Sequence, residues 1–355
     1  MEKKYRVLAI NPGSTSTKVA VYDDEELIMQ ENIHLSAEDL APFTRVIDEY
    51  EMRKGYILKL LDAKGITLDS IDAVSCRGGG MKPVSSGTIA INETMLDDIR
   101  ASGGGHASVL GPLIGDELSR QLGIPAFTVD PTSVDEFEDI ARISGWPELP
   151  RRSGFHPLNH KAVARKAAKE LGKKYEELNL VVAHIGGGVS IGAHKKGRII
   201  DVNIGEGGLF TPERACPPVG AAVRLAFSGK YTEREMIKMM LGNGGLQALL
   251  GTKDMREVER RVKEGDKEAE LAFKAMCYQI AKAIGALSTV LKGEVDAIVL
   301  TGGCSHSKLL TDEVSGYVKY IAPIMVFPGE KEMESLAFGV LRVLRGEEKA
   351  KVYPC

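Results

Sequence analysis

Two stretches of this chain are built alike, and that likeness limits its possible folds more than any other feature. The first reads RVLAINPGSTSTKVAVYDDEELIMQENIH from residue 6: an apolar run, a turn of glycine and hydroxyls, a second apolar run, a charged turn at Asp23-Asp24, and a third run. The second reads LNLVVAHIGGGVSIGAHKKGRIIDVNI from residue 178 and repeats the order, with Lys195-Lys196 at its second turn. Asn11 precedes its charged turn by about a dozen positions, and His184 precedes its own by nearly as many. Short apolar runs bounded by glycine and charged turns predict antiparallel strands. Their repetition predicts an internal duplication in which each copy opens a domain.

The rest of the chain alternates helix and strand. Apolar spacing over 39–62 (Leu40, Phe43, Val46, Ile47, Tyr50, Leu58, Leu61) predicts a helix, with Ser36 and Asp39 as a capping pair. IDAVSCRGGG is a short strand ending in an arginine and three glycines, helices follow near 92–101 and 107–122, and AFTVD (126–130) is a buried strand. A polar, proline-rich stretch near 145–161 separates the halves. Beyond the second meander come a long helix over 266–292, the strands VDAIVLTGG and APIMVFPG, and a terminal helix at 332–346. The class is α/β with mixed sheets. With 355 residues the chain is long enough for two domains, expected at 1–178 and 179–355, with the terminal helix packing back on the first.

Composition narrows the role. A formal net charge of −3, with Lys and Arg spread along the chain, gives no footing for nucleic acid or an anionic membrane. The longest charge-free stretch, 178–194, holds four glycines and two histidines and is no membrane span. Five cysteines, none in CxxC spacing, argue against a disulfide framework or a zinc site. With an opening, MEKKYRVLAI, that lacks an apolar leader, they point to the cytoplasm.

Two glycine-turned hairpins suggest a phosphate clamp, because backbone N–H groups approach phosphate oxygens where no Cβ intervenes. In the first, Asn11, Ser14, Ser16 and Lys18 add donors; in the second, Gly186, Gly187 and Gly188 leave the backbone bare. A strand follows each turn, so neither a P-loop nor a Rossmann fingerprint is present. Gly302-Gly303-Cys304-Ser305, after a buried strand, offers a third bare surface suited to a nucleotide; read alone it is a βα loop with Ser305 as helix cap. Arg77 beside Gly78-Gly79-Gly80 suits a carboxylate or phosphate, and Arg214 in TPERACPP is a second arginine of that kind. His156 and His160 stand at i,i+4, but Pro157 intervenes and no metalloprotease glutamate accompanies them, so donation to a phosphoryl oxygen fits better than zinc. Asp130 and Glu332, with Glu330 competing, are carboxylates at strand ends that could serve magnesium alongside nucleotide phosphates. Met236, Met239 and Met240 read as core packing.

INPGSTSTK, GFHPLNHK, VVAHIGGGVSIGA, GLFTPER and FPGEKEMESLAFGVLRVLRG together resemble the acetokinase family of the actin, hsp70 and sugar-kinase superfold, closest to its butyrate kinase branch. The resemblance spans nearly the whole chain. It implies duplicated ribonuclease-H-like, actin-like ATPase domains, and transfer of the γ-phosphoryl of ATP to a short-chain carboxylic acid, reversibly, giving ADP and an acyl phosphate. It implies that Asn11, Ser14, Ser16 and Lys18 form the first phosphate loop, and that Arg77 and Arg214 hold the acid and the moving phosphoryl. It assigns Mg2+ to Asp130 and Glu332, transition-state charge to His156 and His184, adenosine to Gly302–Ser305, and the acid's pocket to Arg77, Gly78, Gly79 and Phe155. A homodimer or higher homo-oligomer is also implied.

The sequence departs from acetate kinases in three places. Their second hairpin carries an asparagine, HLGNG, where this chain has His184-Ile185-Gly186-Gly187-Gly188, and its loop around Arg214 is shorter. Acetate kinases also carry bulk after the arginine matching Arg77. Glycines there predict room for butyrate or a branched acid, at about 0.8 kcal/mol per buried methylene. Acetate or propionate kinase is the alternative within the family. A sugar kinase of the same superfold would need a general base that an ionised carboxylate does not. An actin-like filament subunit would hydrolyse ATP without depending on an acid.

Overall fold

The computed structural model describes residues 4–103, 105–203 and 208–355. Most of the GEGG that precedes Arg214 lies outside them. The chain divides into two compact units, one of residues 1–135 with 331–355, the other of 136–330. The partition falls at 135/136, ahead of the proline-rich stretch, and the terminal helix belongs to the first unit.

The first unit is built on a seven-stranded mixed sheet. Its strands are β1 (Arg6–Pro12), β2 (Ser16–Asp23), β3 (Glu26–His34), β4 (Ala73–Cys76), β5 (Thr88–Ala90), β6 (Ala126–Val129) and β12 (Lys351–Val352). They lie in the order β12-β5-β6-β4-β1-β2-β3, with β1, β4 and β6 parallel. Helix Glu332–Leu344 packs on this sheet, where Ser75 and Thr88 donate their hydroxyls to its Leu336 and Gly339 carbonyls. A Cβ at Gly339 would stand 2.5 Å from Val129 Cγ1, so the close approach requires glycine. Helix Leu110–Leu122 approaches with Gly111 against the Arg77 carbonyl and Gly115 against Cys76 Sγ.

The second unit holds a five-stranded sheet of β7 (Asn179–Ile185), β8 (Val189–Lys195), β9 (Arg198–Val202), β10 (Ala297–Gly302) and β11 (Ile324–Pro328), in the order β11-β10-β7-β8-β9. Alternate residues of β7 face opposite ways. Val181, Ala183 and Ile185 join the core around helix Lys267–Val290, while Leu180 and Val182 pack with Val163, Ala164 and Ala167 of helix Pro157–Glu170.

The duplication extends to the register. β2 slips against β3 just after Val21, which faces Leu8; β8 slips against β9 just after Ala193, which faces Val181. Three residues further on, Leu8 leads to Asn11 and Val181 to His184, so these two are equivalent positions. The parallel neighbours agree: Cys76 pairs with Ile10 as Leu300 pairs with Ala183, which makes Gly78-Gly79 the counterpart of Gly302-Gly303.

One expected element is broken. The 39–62 helix is a short helix at Ala37–Leu40, a turn containing Pro42, a 3-10 turn at Val46–Glu49, and a helix at Tyr50–Ala63. Proline removes a donor and restricts the residue before it, so a continuous helix does not cross it. The Ser36–Asp39 capping box forms as expected. Among the described residues no helix is long and apolar enough to cross a membrane.

Candidate functional site

In the first unit, the carboxyl ends of three parallel strands deliver the side chains. Asn11 lies at the end of β1, Arg77 just past β4, and Asp130 just past β6. Such edges are where open α/β sheets bind ligands. Glu332 opens the terminal helix and gathers the donors: Asn11 Nδ2 donates to its Oε2 at 2.7 Å, Lys18 Nζ lies 3.8 Å from the same oxygen, and Arg77 Nη1 donates to Oε1. Lys18 reaches this point because it faces Asn11 directly across β1 and β2.

The loop between those strands is held from below by Arg53, a residue the sequence did not single out. Its guanidinium is 1% exposed and donates to the carbonyls of Gly13 at 2.7 Å, Ser16 at 3.0 Å and Ser14 at 3.2 Å. Glu49, one helical turn away, accepts its Nε and Nη2. In a trans peptide the N–H opposes the preceding carbonyl. Carbonyls turned in toward Arg53 therefore turn the Ser14 and Thr15 N–H groups outward, as an anion-binding loop requires. His106 was also missed. Its Nδ1 accepts the Ser108 N–H, and its pKa is lowered by burial and by the nearby Arg77 charge.

Asp130 is 2% exposed, and its Oδ1 accepts the Gly87 N–H at 2.7 Å. The glycines beside Arg77 do not widen a pocket. A Cβ at Gly78 would lie 2.3 Å from Thr128 Oγ1, and one at Gly79 would lie 2.2 Å from Ser108 Oγ and 2.7 Å from Thr132 Oγ1. Neighbouring side chains already fill that space, which removes the physical argument for a longer acid.

In the second unit, His184 ends β7 and stacks on His156, the rings 3.9 Å apart and 12° from parallel. Its Nδ1 meets Asn159 Nδ2 at 2.7 Å and its Nε2 lies 3.1 Å from Glu330 Oε1. The Gly186–Gly188 turn is braced by the TPER loop: Thr211 donates to the Gly187 carbonyl, Glu213 lies against Gly187, and Arg214 against Gly188. Gly302, at φ +90°, is required by packing, since a Cβ there would stand 2.5 Å from the Ile185 carbonyl oxygen. Gly303 has no such reason, and the space beside it is open. Ser305 is buried and donates to the Thr301 carbonyl; the cap of the following helix is Ser307, not Ser305. The Cys304 thiol is pushed up to about 12 by burial, which suits packing rather than nucleophilic chemistry. Phe155 packs with Phe137, Ala141, Ile199 and Val202.

Among the described residues no group of three or more His, Cys, Asp or Glu side chains is arranged to hold a metal unaided. The hard oxygens of Glu332, Asp130 and Glu330 suit magnesium only in company with phosphate oxygens. A cavity of about 410 Å³ elsewhere in the first unit is lined by Arg45, Arg100 and Arg120, each already paired with a carboxylate.

Comparison with known proteins agrees with this architecture. The profile of the Acetokinase family matches residues 147–315, just under half of the chain and wholly within the second unit. An acetate kinase from Porphyromonas gingivalis superposes with a TM-score of 0.75 at 22% identity, covering 96% of this chain and 100% of that one. A propionate kinase from Francisella tularensis subsp. tularensis SCHU S4 gives 0.73 at 21%, covering 94% and 98%. An acetate kinase from Entamoeba histolytica gives 0.74 at 17%, again covering 94% and 98%. The fold is the duplicated actin-like ATPase fold of these enzymes.

Proposed function

We propose that this protein is an ATP-dependent kinase of short-chain carboxylic acids, forming an acyl phosphate and ADP. The observation that carries the reading is the convergence of Asn11, Lys18 and Arg77 on one carboxylate, that of Glu332. Such a set of donors recognises anions. His156 and His184 are further donors in the second unit. A carboxylate acceptor is ionised at neutral pH and needs no base. A sugar hydroxyl does need one, and Asp130, the aspartate at this sheet edge, gives an oxygen to the Gly87 N–H.

In this reading the outward N–H groups of Ser14 and Thr15, with Ser16 and Lys18, hold the terminal phosphates of ATP. Arg77 binds the acid and the moving phosphoryl, and Arg214 supports the second hairpin. His156 and His184 donate to oxygens that gain charge in transfer. Gly303, open and unconstrained by packing, lies against adenosine. Magnesium, when bound, neutralises phosphate charge, and Glu332, Asp130 or Glu330 would hold or orient it.

The finer reading is a butyrate kinase, or a kinase of a branched four-carbon acid, with acetate or propionate as the alternative substrate. The sequence of the 184–188 hairpin supports it; the packed glycines at 78 and 79 do not. A panel from formate to valerate, branched acids included, with hydroxylamine trapping of the acyl phosphate, decides it. A better kcat/KM for acetate than for butyrate and isobutyrate overturns the finer reading. Arg77→Ala is expected to depress acyl-phosphate formation far more than it weakens nucleotide binding; equal losses would remove its assigned role. We also propose a homo-oligomer, at least a dimer. Val219, Val223 and Phe227, on and just past helix Val219–Ala226, are 79%, 50% and 89% exposed, and sedimentation tests the assignment.

A further inference from the structure

Behind the stacked histidines lies a chain of buried polar groups that phosphoryl transfer does not directly use. It zigzags between helix Pro157–Glu170 and strand β8. His156 Nδ1 lies 2.8 Å from Ser190 Oγ, and that oxygen lies 3.0 Å from His160 Nε2. His160 Nδ1 lies 3.2 Å from His194 Nε2, and His194 Nδ1 lies 2.8 Å from the Tyr175 hydroxyl. His156 and His160 are one helical turn apart, and Ser190, Gly192 and His194 share one face of the strand. Gly192 makes room for the chain: a Cβ there would sit 3.2 Å from His160 Nδ1.

The chain has a direction. His160 Nε2 also faces the Ser190 carbonyl oxygen at 3.2 Å, and a carbonyl can only accept. Nε2 therefore carries the proton. His160 and His194 are both held well below the ordinary histidine pKa, first by burial and then by neighbouring imidazoles and Lys161 respectively, so each ring has one N–H. His160 Nδ1 must then accept from His194 Nε2–H, and His194 Nδ1 from the Tyr175 hydroxyl. On the other side, Ser190 Oγ accepts a hydrogen bond from His160 Nε2–H and donates its own O–H to His156 Nδ1.

We propose that Ser190, His160, His194 and Tyr175 are positioning residues that lock His156 as the Nε2–H tautomer, a fixed hydrogen-bond donor. The lock is a property of the resting protein. Only the oxygen that His156 then meets, on the phosphoryl or the acid, rests on the carboxylate kinase reading.

The test uses histidine labelled with 15N in the full-length protein near pH 7.5. Long-range proton–nitrogen correlation should show pyrrole-type nitrogen at Nε2 and pyridine-type nitrogen at Nδ1 for His156, His160 and His194. His160→Phe removes the donor to Ser190, whereas His160→Gln retains an N–H there. The first should shift His156 to mixed tautomers and lower kcat by about tenfold with little change in KM for ATP, and the second should restore both. If His160→Phe does not fold, Gly192→Ala displaces the same ring and should give the same change in the His156 signals. A wild-type His156 protonated on Nδ1, or unchanged His156 signals in the variants, overturns the proposal. If the protein phosphorylates no acid, the nitrogen signals still decide the lock, so the two readings fail separately.

Discussion

Arg53 shows how one side chain can set a loop's chemistry without touching a ligand. It is buried with Glu49 and turns three carbonyls of the Pro12–Ser16 loop inward. Replacing it by methionine leaves the Glu49 charge buried without its partner, at a cost of about 3–5 kcal/mol. Chemical denaturation of Arg53→Met should show that loss. Adding Glu49→Gln should recover much of the stability but not ATP affinity, while adenosine affinity stays near wild type. Recovery of ATP affinity in the double variant would mean that Arg53 acts only through stability. Asn11, Lys18 and Arg77, singled out in the sequence by their motifs, meet at Glu332, and His156 stacks on His184 as neighbouring motifs allow. Arg53, His106 and Thr211 were not legible in the sequence, because the partners that give them meaning are backbone atoms or charges brought close only by the fold.

Elements were legible where periodicity was strong. Both meanders, the helix at Lys267–Val290 and the helix at Glu332–Leu344 lie where apolar spacing places them. The three-residue strand Thr88–Ala90 and the two-residue strand Lys351–Val352 are too short to show a pattern, and Pro42 splits a helix whose apolar spacing runs across it. Glycine was the residue most easily misread. Gly78, Gly79 and Gly302 look like openings for a ligand, yet each is small because another group occupies the space. Gly339 is the same kind of residue at the helix–sheet contact. Gly339→Ala should cost about 1–3 kcal/mol by overpacking against Val129. Val129→Ala in the same chain should return part of that stability, and an additive loss would contradict the contact.

The paired helix and strand around His160 and His194 also predict a pH dependence. Both histidines titrate lower when folded than when unfolded, so the unfolded chain binds more protons below its pKa of about 6.5. Their neutral burial is fully accommodated above that pH, and stability falls below it by about 1.4 kcal/mol per pH unit for each. Denaturation between pH 7.5 and 5.5 should show this slope, and His194→Gln should make it shallower. An unchanged slope would mean that other groups govern the acid limb.

At the scale of the whole molecule, the chain is one architecture used twice. The register slips after Val21 and Ala193 make Asn11 and His184 equivalent, so one copy offers an amide and a lysine where the other offers stacked imidazoles. The duplication was visible in the sequence because it is carried by local alternation. The partition at 135/136 depends on which elements pack together, whereas the boundary expected from the sequence was 178/179, at the start of the second meander. The central proposal is that this protein transfers the γ-phosphoryl of ATP to a short-chain carboxylate. It is tested most directly by incubating purified protein with ATP, magnesium, hydroxylamine and one short-chain acid at a time. The account predicts hydroxamate formation with matching ADP release, both dependent on the acid. ADP release without an acid, or phosphorylation of a sugar instead, would contradict it.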